Sequence, residues 1–126
     1  MNLAPIILFC YNRTWHVEQT LIALSKNELA DQSILYIYCD GPKENATREQ
    51  IEKIREVRKV VRQQQWCKEV HIVDAEKNKG LANSIIEGVT NIINQHGSCI
   101  VLEDDLVSSP YFLKYMNMAL NYYQDY

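Results

Sequence analysis

Four short apolar runs, each followed by a segment of helical periodicity, constrain this chain more than any other feature of it. Pro5 to Cys10 is apolar and β-prone. Val17, Leu21 and Leu24 then fall on one face of a helix, with Asn12 or Thr14 placed to cap it. Ser33 to Cys39 reads as a second strand that ends at the turn Asp40-Gly41-Pro42. Thr47-Arg48-Glu49-Gln50 has the form of a capping box and opens a helix reaching to about Gln65. Its buried stripe is Ile51, Ile54, Val57 and Val61, and its Lys, Arg and Glu positions form a solvated face. Glu69 to Val73 is a third strand. A helix from Leu81 to Gln95 follows, with Leu81, Ile85, Val89 and Ile92 inward and His96-Gly97 as its stop. Cys99 to Leu102 is a fourth strand, apolar enough to be buried on both faces. Ser109-Pro110 opens a last helix, with serine as cap and proline at the first position. This alternation predicts an α/β fold of three layers (α/β/α) around a mostly parallel, Rossmann-like four-stranded sheet, one domain over residues 1–126.

The fourth strand runs straight into Glu103-Asp104-Asp105. Adjacent carboxylates near a protein surface repel by about 4 kcal/mol per close pair at an effective dielectric near 20. No basic residue stands beside them in sequence. Solvation, protonation of one member, or a divalent cation relieves such a cluster. In open α/β sheets, ligands bind beyond the carboxyl ends of the strands, which is where these acids fall.

The same edge collects other groups. Tyr11, Asn12 and Arg13 close the first strand, Asp40 closes the second, and Lys79-Gly80 precedes the third helix. Together they offer an aromatic face, hydrogen-bonding groups, cations and, at Asp104 and Asp105, oxygen ligands. That inventory suits a nucleotide diphosphate with Mg²⁺ or Mn²⁺, which share substrate phosphate oxygens. A net charge of -3 leaves no broad basic face, so nucleic acid is not the expected partner. The four cysteines show no CxxC spacing and the three histidines no metal-ligand spacing. The cysteines read as small core residues in a reducing, cytoplasmic compartment. Neither a targeting signal nor a run long enough to span a membrane is visible.

Four segments, in order, resemble the nucleotide-diphospho-sugar glycosyltransferases of GT-A fold. Pro5 to Arg13 is similar to the opening strand and "YNR" of the family-2 enzymes, and Tyr38-Cys39-Asp40-Gly41 to their second strand with its aspartate. Asn78-Lys79-Gly80-Leu81-Ala82 is similar to their "N-x-G-L-A" segment. Val101 to Leu106, followed by Ser109-Pro110-Tyr111-Phe112, resembles the "DXD" region, in the Glu-Asp-Asp-Leu form of N-acetylglucosaminyltransferase I and its relatives.

The resemblance implies a sugar transferase taking a nucleotide-diphospho-sugar, a UDP-sugar foremost, and a glycan or other hydroxyl acceptor. Tyr11 would lie near the base, and Asp40 would accept a hydrogen bond from its edge. Asn12 would add a hydrogen-bonding group. Asp104 would contact the ribose or sugar, Glu103 the donor sugar, and Arg13 and Lys79 the phosphates. Asp105 would bind Mn²⁺ or Mg²⁺. The general base and acceptor site of that family follow the DXD region, so the chain is expected to be the donor-binding portion of a longer enzyme, inactive alone. The tail agrees with that expectation: Tyr111, Tyr115, Tyr122, Tyr123 and Tyr126 crowd its last helix, with Phe112, Met116, Leu120 and Tyr123 on one side and Tyr115 and Tyr122 off it. The alternatives are a Mg²⁺-dependent nucleotidyltransferase or phosphatase, and a Rossmann-like interaction module without a ligand.

Overall fold

A computed structural model describes residues 2–124; Tyr126, one of the tail tyrosines, lies outside them. The elements are β1 (Ile6–Cys10), α1 (Thr14–Ser25), a 3₁₀ turn (Ala30–Gln32), β2 (Ile34–Cys39), α2 (Arg48–Val60), β3 (Glu69–Asp74), α3 (Leu81–His96), β4 (Ile100–Glu103) and α4 (Phe112–Tyr123). All strand pairs are parallel, in the order β3-β2-β1-β4. Residue Ile6 pairs with Leu35 on one side and Ile100 on the other, so β1 is an interior strand and the carboxyl ends of β1, β2 and β4 are level.

Period-2 alternation sorts the β1 side chains between two layers. Ile6, Leu8 and Cys10 join Leu35, Ile37, Ile100 and Leu102 beneath α1, α2 and α4, where Val17, Leu21, Leu24, Val57, Val61 and Leu113 complete a buried core. Ile7 and Phe9 face the opposite way, onto α3, through Ile92, Ile85 and Val89. The architecture is therefore the expected α/β/α, with three helices on one face and one on the other.

The single helix approaches closely because its inner seam is small. Ser84 and Gly88 are buried on it, and a Cβ at Gly88 would stand 2.8 Å from the Phe9 ring and 3.0 Å from Ile7 Cδ1. That seam leaves Leu81 exposed, against the expected stripe. It also explains why β4 is not covered on both faces. Helix α3 crosses β1, so only Ile100 and Leu102 are buried, and Val101 remains 43% exposed. Cys99 precedes the strand and is only partly buried.

Several helix ends differ from expectation. The capping box at Thr47 and Gln50 forms, with bonds of 3.1 and 2.9 Å, but α2 stops at Val60 because Trp66 turns back to donate to the Val61 carbonyl at 2.9 Å. Arg13, not Asn12 or Thr14, is the N-cap of α1, and no side chain caps it. Helix α4 begins at Phe112, not Pro110. Its start is met from the loop that follows α1: buried Asn27 accepts from Leu113 N at 3.0 Å, and Glu28 N donates to the Pro110 carbonyl at 2.8 Å. The buried seam of α4 is Leu113 and Asn117, with Phe112, Met116 and Leu120 beside it; Tyr123, like Tyr115 and Tyr122, is exposed. Asn117 is fully buried because it bonds Ala4 N at 2.7 Å, tying α4 to the start of β1.

Candidate functional site

The level carboxyl ends of β1, β2 and β4 form the floor of a cavity of about 500 Å³, with the start of α3 as one wall. Tyr11, Asn12, Arg13, Asp40, Glu103, Asp104 and Asp105 all line it. Seven of the eight residues singled out from the sequence are thus brought together. Each arrives for a local reason. The Asp40 N–H continues the ladder by donating to the Cys10 carbonyl at 2.9 Å. The acids leave β4 through a turn in which Leu106 N donates to the Glu103 carbonyl at 3.3 Å. Thr20 of α1 donates to the Asp104 carbonyl at 3.0 Å, which fixes that turn from behind.

The eighth residue goes elsewhere. The Lys79 ammonium sits on Glu87 of α3, 2.8 and 3.0 Å from its two oxygens, and lines a second groove on the far side of α3. The sequence offered no sign of this, because an eight-residue separation from loop into helix has no simple periodicity. In its place Lys43 lines the acidic cavity. It follows the Asp-Gly-Pro turn and has no ion-pair partner among the described residues.

Asp40 does more than face the cavity. Its buried carboxylate accepts from Gly41 N (2.8 Å) and Lys79 N (2.8 Å) on one oxygen, and from Gly80 N (3.1 Å) and the Asn78 amide (3.2 Å) on the other. Four donors fill the acceptor capacity of a carboxylate. Asn78 also donates to the Gly41 carbonyl at 3.0 Å. A Cβ at Gly41 would meet the Ala75 and Lys77 carbonyl oxygens at 2.6 and 2.8 Å, so only glycine permits the loop to pass so near. The Asp-Gly and Asn-Lys-Gly segments, distant in sequence, are one clasp. Arg58 braces it from below, donating to the Ala75 carbonyl at 2.7 Å and the Asp40 carbonyl at 3.3 Å, with its Nε 3.6 Å from Asp74. Arg62 also bonds Asp74. The charged face of α2 is therefore not wholly solvated, as its sequence suggested.

The acids do have a basic neighbour, supplied by folding. The Arg13 guanidinium lies 3.7 Å from Asp104 and 3.9 Å from Asp105. These side chains are 45%, 18% and 51% exposed respectively, so the contact is at the cavity rim. Burial pushes the Asp104 carboxyl above its ordinary value, Arg13 pulls it down, and Asp105 adds to the push. Arg13 thus offsets only part of the cost of charging Asp104.

Two carboxylates within reach of one guanidinium can share one cation. They would supply two of the roughly six oxygens that Mg²⁺ or Mn²⁺ takes, the rest falling to water or phosphate. Among the described residues no group of three or more His, Cys, Asp or Glu is gathered as a metal cage. The donor set fits an ion held jointly with a ligand.

Beneath the floor, Cys10 and Cys39 are in register and their sulfurs are 3.4 Å apart, with both thiols free. The neighbouring Cys39 thiol and burial hold the Cys10 thiol well above its ordinary value. No helix among the described residues is long and apolar enough to cross a membrane. No protein-family model matches the chain, and no curated protein does.

Proposed function

We propose that this chain is the nucleotide-binding portion of a glycosyltransferase that takes a nucleotide-diphospho-sugar, a UDP-sugar foremost, together with Mn²⁺ or Mg²⁺. The observation that carries the reading is the convergence of Tyr11, Asn12, Arg13 and Asp40 with Glu103-Asp104-Asp105 on one cavity at the carboxyl edge of a parallel sheet. The apolar part of that cavity, with Phe9, Leu81 and Ile85, suits a base, and Tyr11 offers it a ring.

Asp40 holds the Asn78-Lys79-Gly80 loop against the base end and so shapes the pocket more than it offers free acceptors. Asn12 offers the ligand a hydrogen-bonding group, and Asp104 would accept from a ribose or sugar hydroxyl. Glu103 faces the donor sugar. Asp105, the more exposed of the pair, is the metal ligand. A bound divalent ion would offset the charge that develops on the nucleotide diphosphate as it leaves. Arg13 and Lys43 are the cations within reach of the phosphates; Lys79 contributes its backbone N–H and not its ammonium. The four cysteines, none of them bridged, suit a cytoplasmic setting. An acceptor hydroxyl would need a general base, and no residue of the cavity is assigned to that step.

Calorimetry with UDP tests the reading. Heat that requires Mn²⁺ and vanishes in Asp105→Ala is the expected outcome. Binding of UDP without metal dependence, or no binding at all, overturns it. Hydrolysis of p-nitrophenyl phosphate by the chain would instead mark a phosphatase.

A further inference from the structure

We propose that Arg13 is an internal counter-cation for Asp104 and Asp105, one that a divalent ion must displace and that a bound diphosphate then recaptures. The inference rests on the proposed donor site and concerns its order of assembly.

Three features carry it. The guanidinium stands 3.7 and 3.9 Å from the two carboxylates, within ion-pair range of both. None of its nitrogens makes a hydrogen bond to them or to any other described residue. That distinguishes it from Arg58, held to a carbonyl at 2.7 Å. A half-exposed guanidinium attracted by charge alone is easily replaced by an ion that binds carboxylate oxygens directly.

Both backbones are fixed: Thr20 donates to the Asp104 carbonyl at 3.0 Å, and Val17 N donates to the Arg13 carbonyl at 3.0 Å. The difference lies in the side chains, a long untethered arginine against two short carboxylates, so the guanidinium swings aside while the acids keep their place. A divalent ion and a guanidinium facing the same oxygens repel each other, so the two occupy the pair in turn. Once displaced, Arg13 remains tied by its backbone to the cavity rim, where its planar fork is matched to two phosphate oxygens.

The two halves of this exchange have opposite signs, and that makes it testable. Free Mn²⁺ is followed by its electron paramagnetic resonance signal, and UDP binding at saturating Mn²⁺ by calorimetry. Without nucleotide, Arg13→Gln is expected to bind Mn²⁺ roughly fivefold tighter than the wild type, because the competitor is gone. With Mn²⁺ saturating, the same variant is expected to bind UDP roughly tenfold more weakly, because a bidentate phosphate contact is lost. Arg13→Lys keeps the charge without the fork, so its Mn²⁺ binding stays near wild type while UDP binding weakens. Mn²⁺ affinity that is unchanged or lower in Arg13→Gln overturns the proposal, as does undiminished UDP affinity. Failure of the wild type and of all variants to take up Mn²⁺ overturns the donor-site reading itself, and this inference with it.

Discussion

Removing the Asp40 carboxylate should unfasten the clasp that shapes the cavity, and the size of the effect follows from its bonds. Three backbone N–H groups and the Asn78 amide donate to it, at 2.8 to 3.2 Å. A hydrogen bond to a charged group contributes about 1.5–3 kcal/mol. The four share one carboxylate, and water reaches the partly exposed 78–80 loop once it loosens, so the contributions do not simply add. We expect Asp40→Ala to lower the unfolding free energy by about 3–4 kcal/mol. With a urea slope of about 2 kcal/mol per molar, the midpoint falls by roughly 1.5–2 M. Asp40→Asn retains one acceptor oxygen but turns an NH₂ group toward two donors, and it should cost about 2 kcal/mol or more. Amide hydrogen exchange localises the effect: the Lys79 and Gly80 N–H groups should lose protection in Asp40→Ala, well before the β1–β2 ladder does. A stability change under about 1 kcal/mol, or wild-type exchange at Lys79 and Gly80, would refute the assignment of this carboxylate as the clasp.

Other outcomes follow from the same contacts. Gly41→Ala drives a methyl into the Ala75 and Lys77 carbonyls, and thermal melting should show a loss of about 2 kcal/mol or more. Gly88→Ala, which meets the ring of Phe9 and a methyl of Ile7, should cost about 1–3 kcal/mol by lifting α3 from the sheet. Asp104 holds its proton to higher pH when folded than when unfolded. Its contribution to stability is therefore neutral below the unfolded value, grows unfavourable as pH rises from that value to the folded one, and is constant above it. Urea midpoints at about pH 4 and about pH 7 should thus show Asp104→Asn gaining on the wild type at the higher pH. A thiol reagent should modify Cys99 first; Cys67, whose thiol burial pushes up to about 12, should react only on unfolding, as mass spectrometry of digests would show.

The layered fold was legible because its signals are local and redundant. Strand runs, the capping box at Thr47 and Gln50, and the Gly97 stop, observed in the left-handed conformation, each act within a few residues. The parallel alternation then places every strand end on one edge, which is why seven candidate residues fell on one cavity. What stayed hidden depends on long-range partners. Asn27 capping α4, Arg58 under the Asp40 turn, and Glu87 taking Lys79 are choices among several chemically equivalent residues, decided by helix phase and not by residue type. Leu81 read as core from its spacing, but the glycine and serine seam rotated α3 so that close backbone approach prevailed over the leucine. Lys43 was obscured by its loop, where a cation is ordinarily solvated.

The pairing register carries a kinetic consequence. Ile6 meets Leu35 on one side and Ile100 on the other, and the second closure spans roughly three times as much chain. Its entropic cost is higher by about 1 kcal/mol, and it is met by only a four-residue strand. β4 should accordingly dock last, onto a β1–β2–β3 sheet already formed. Arg13 is in place before its acidic partners arrive, and the anionic turn at residues 103–105 closes over a rim where a positive charge is already waiting.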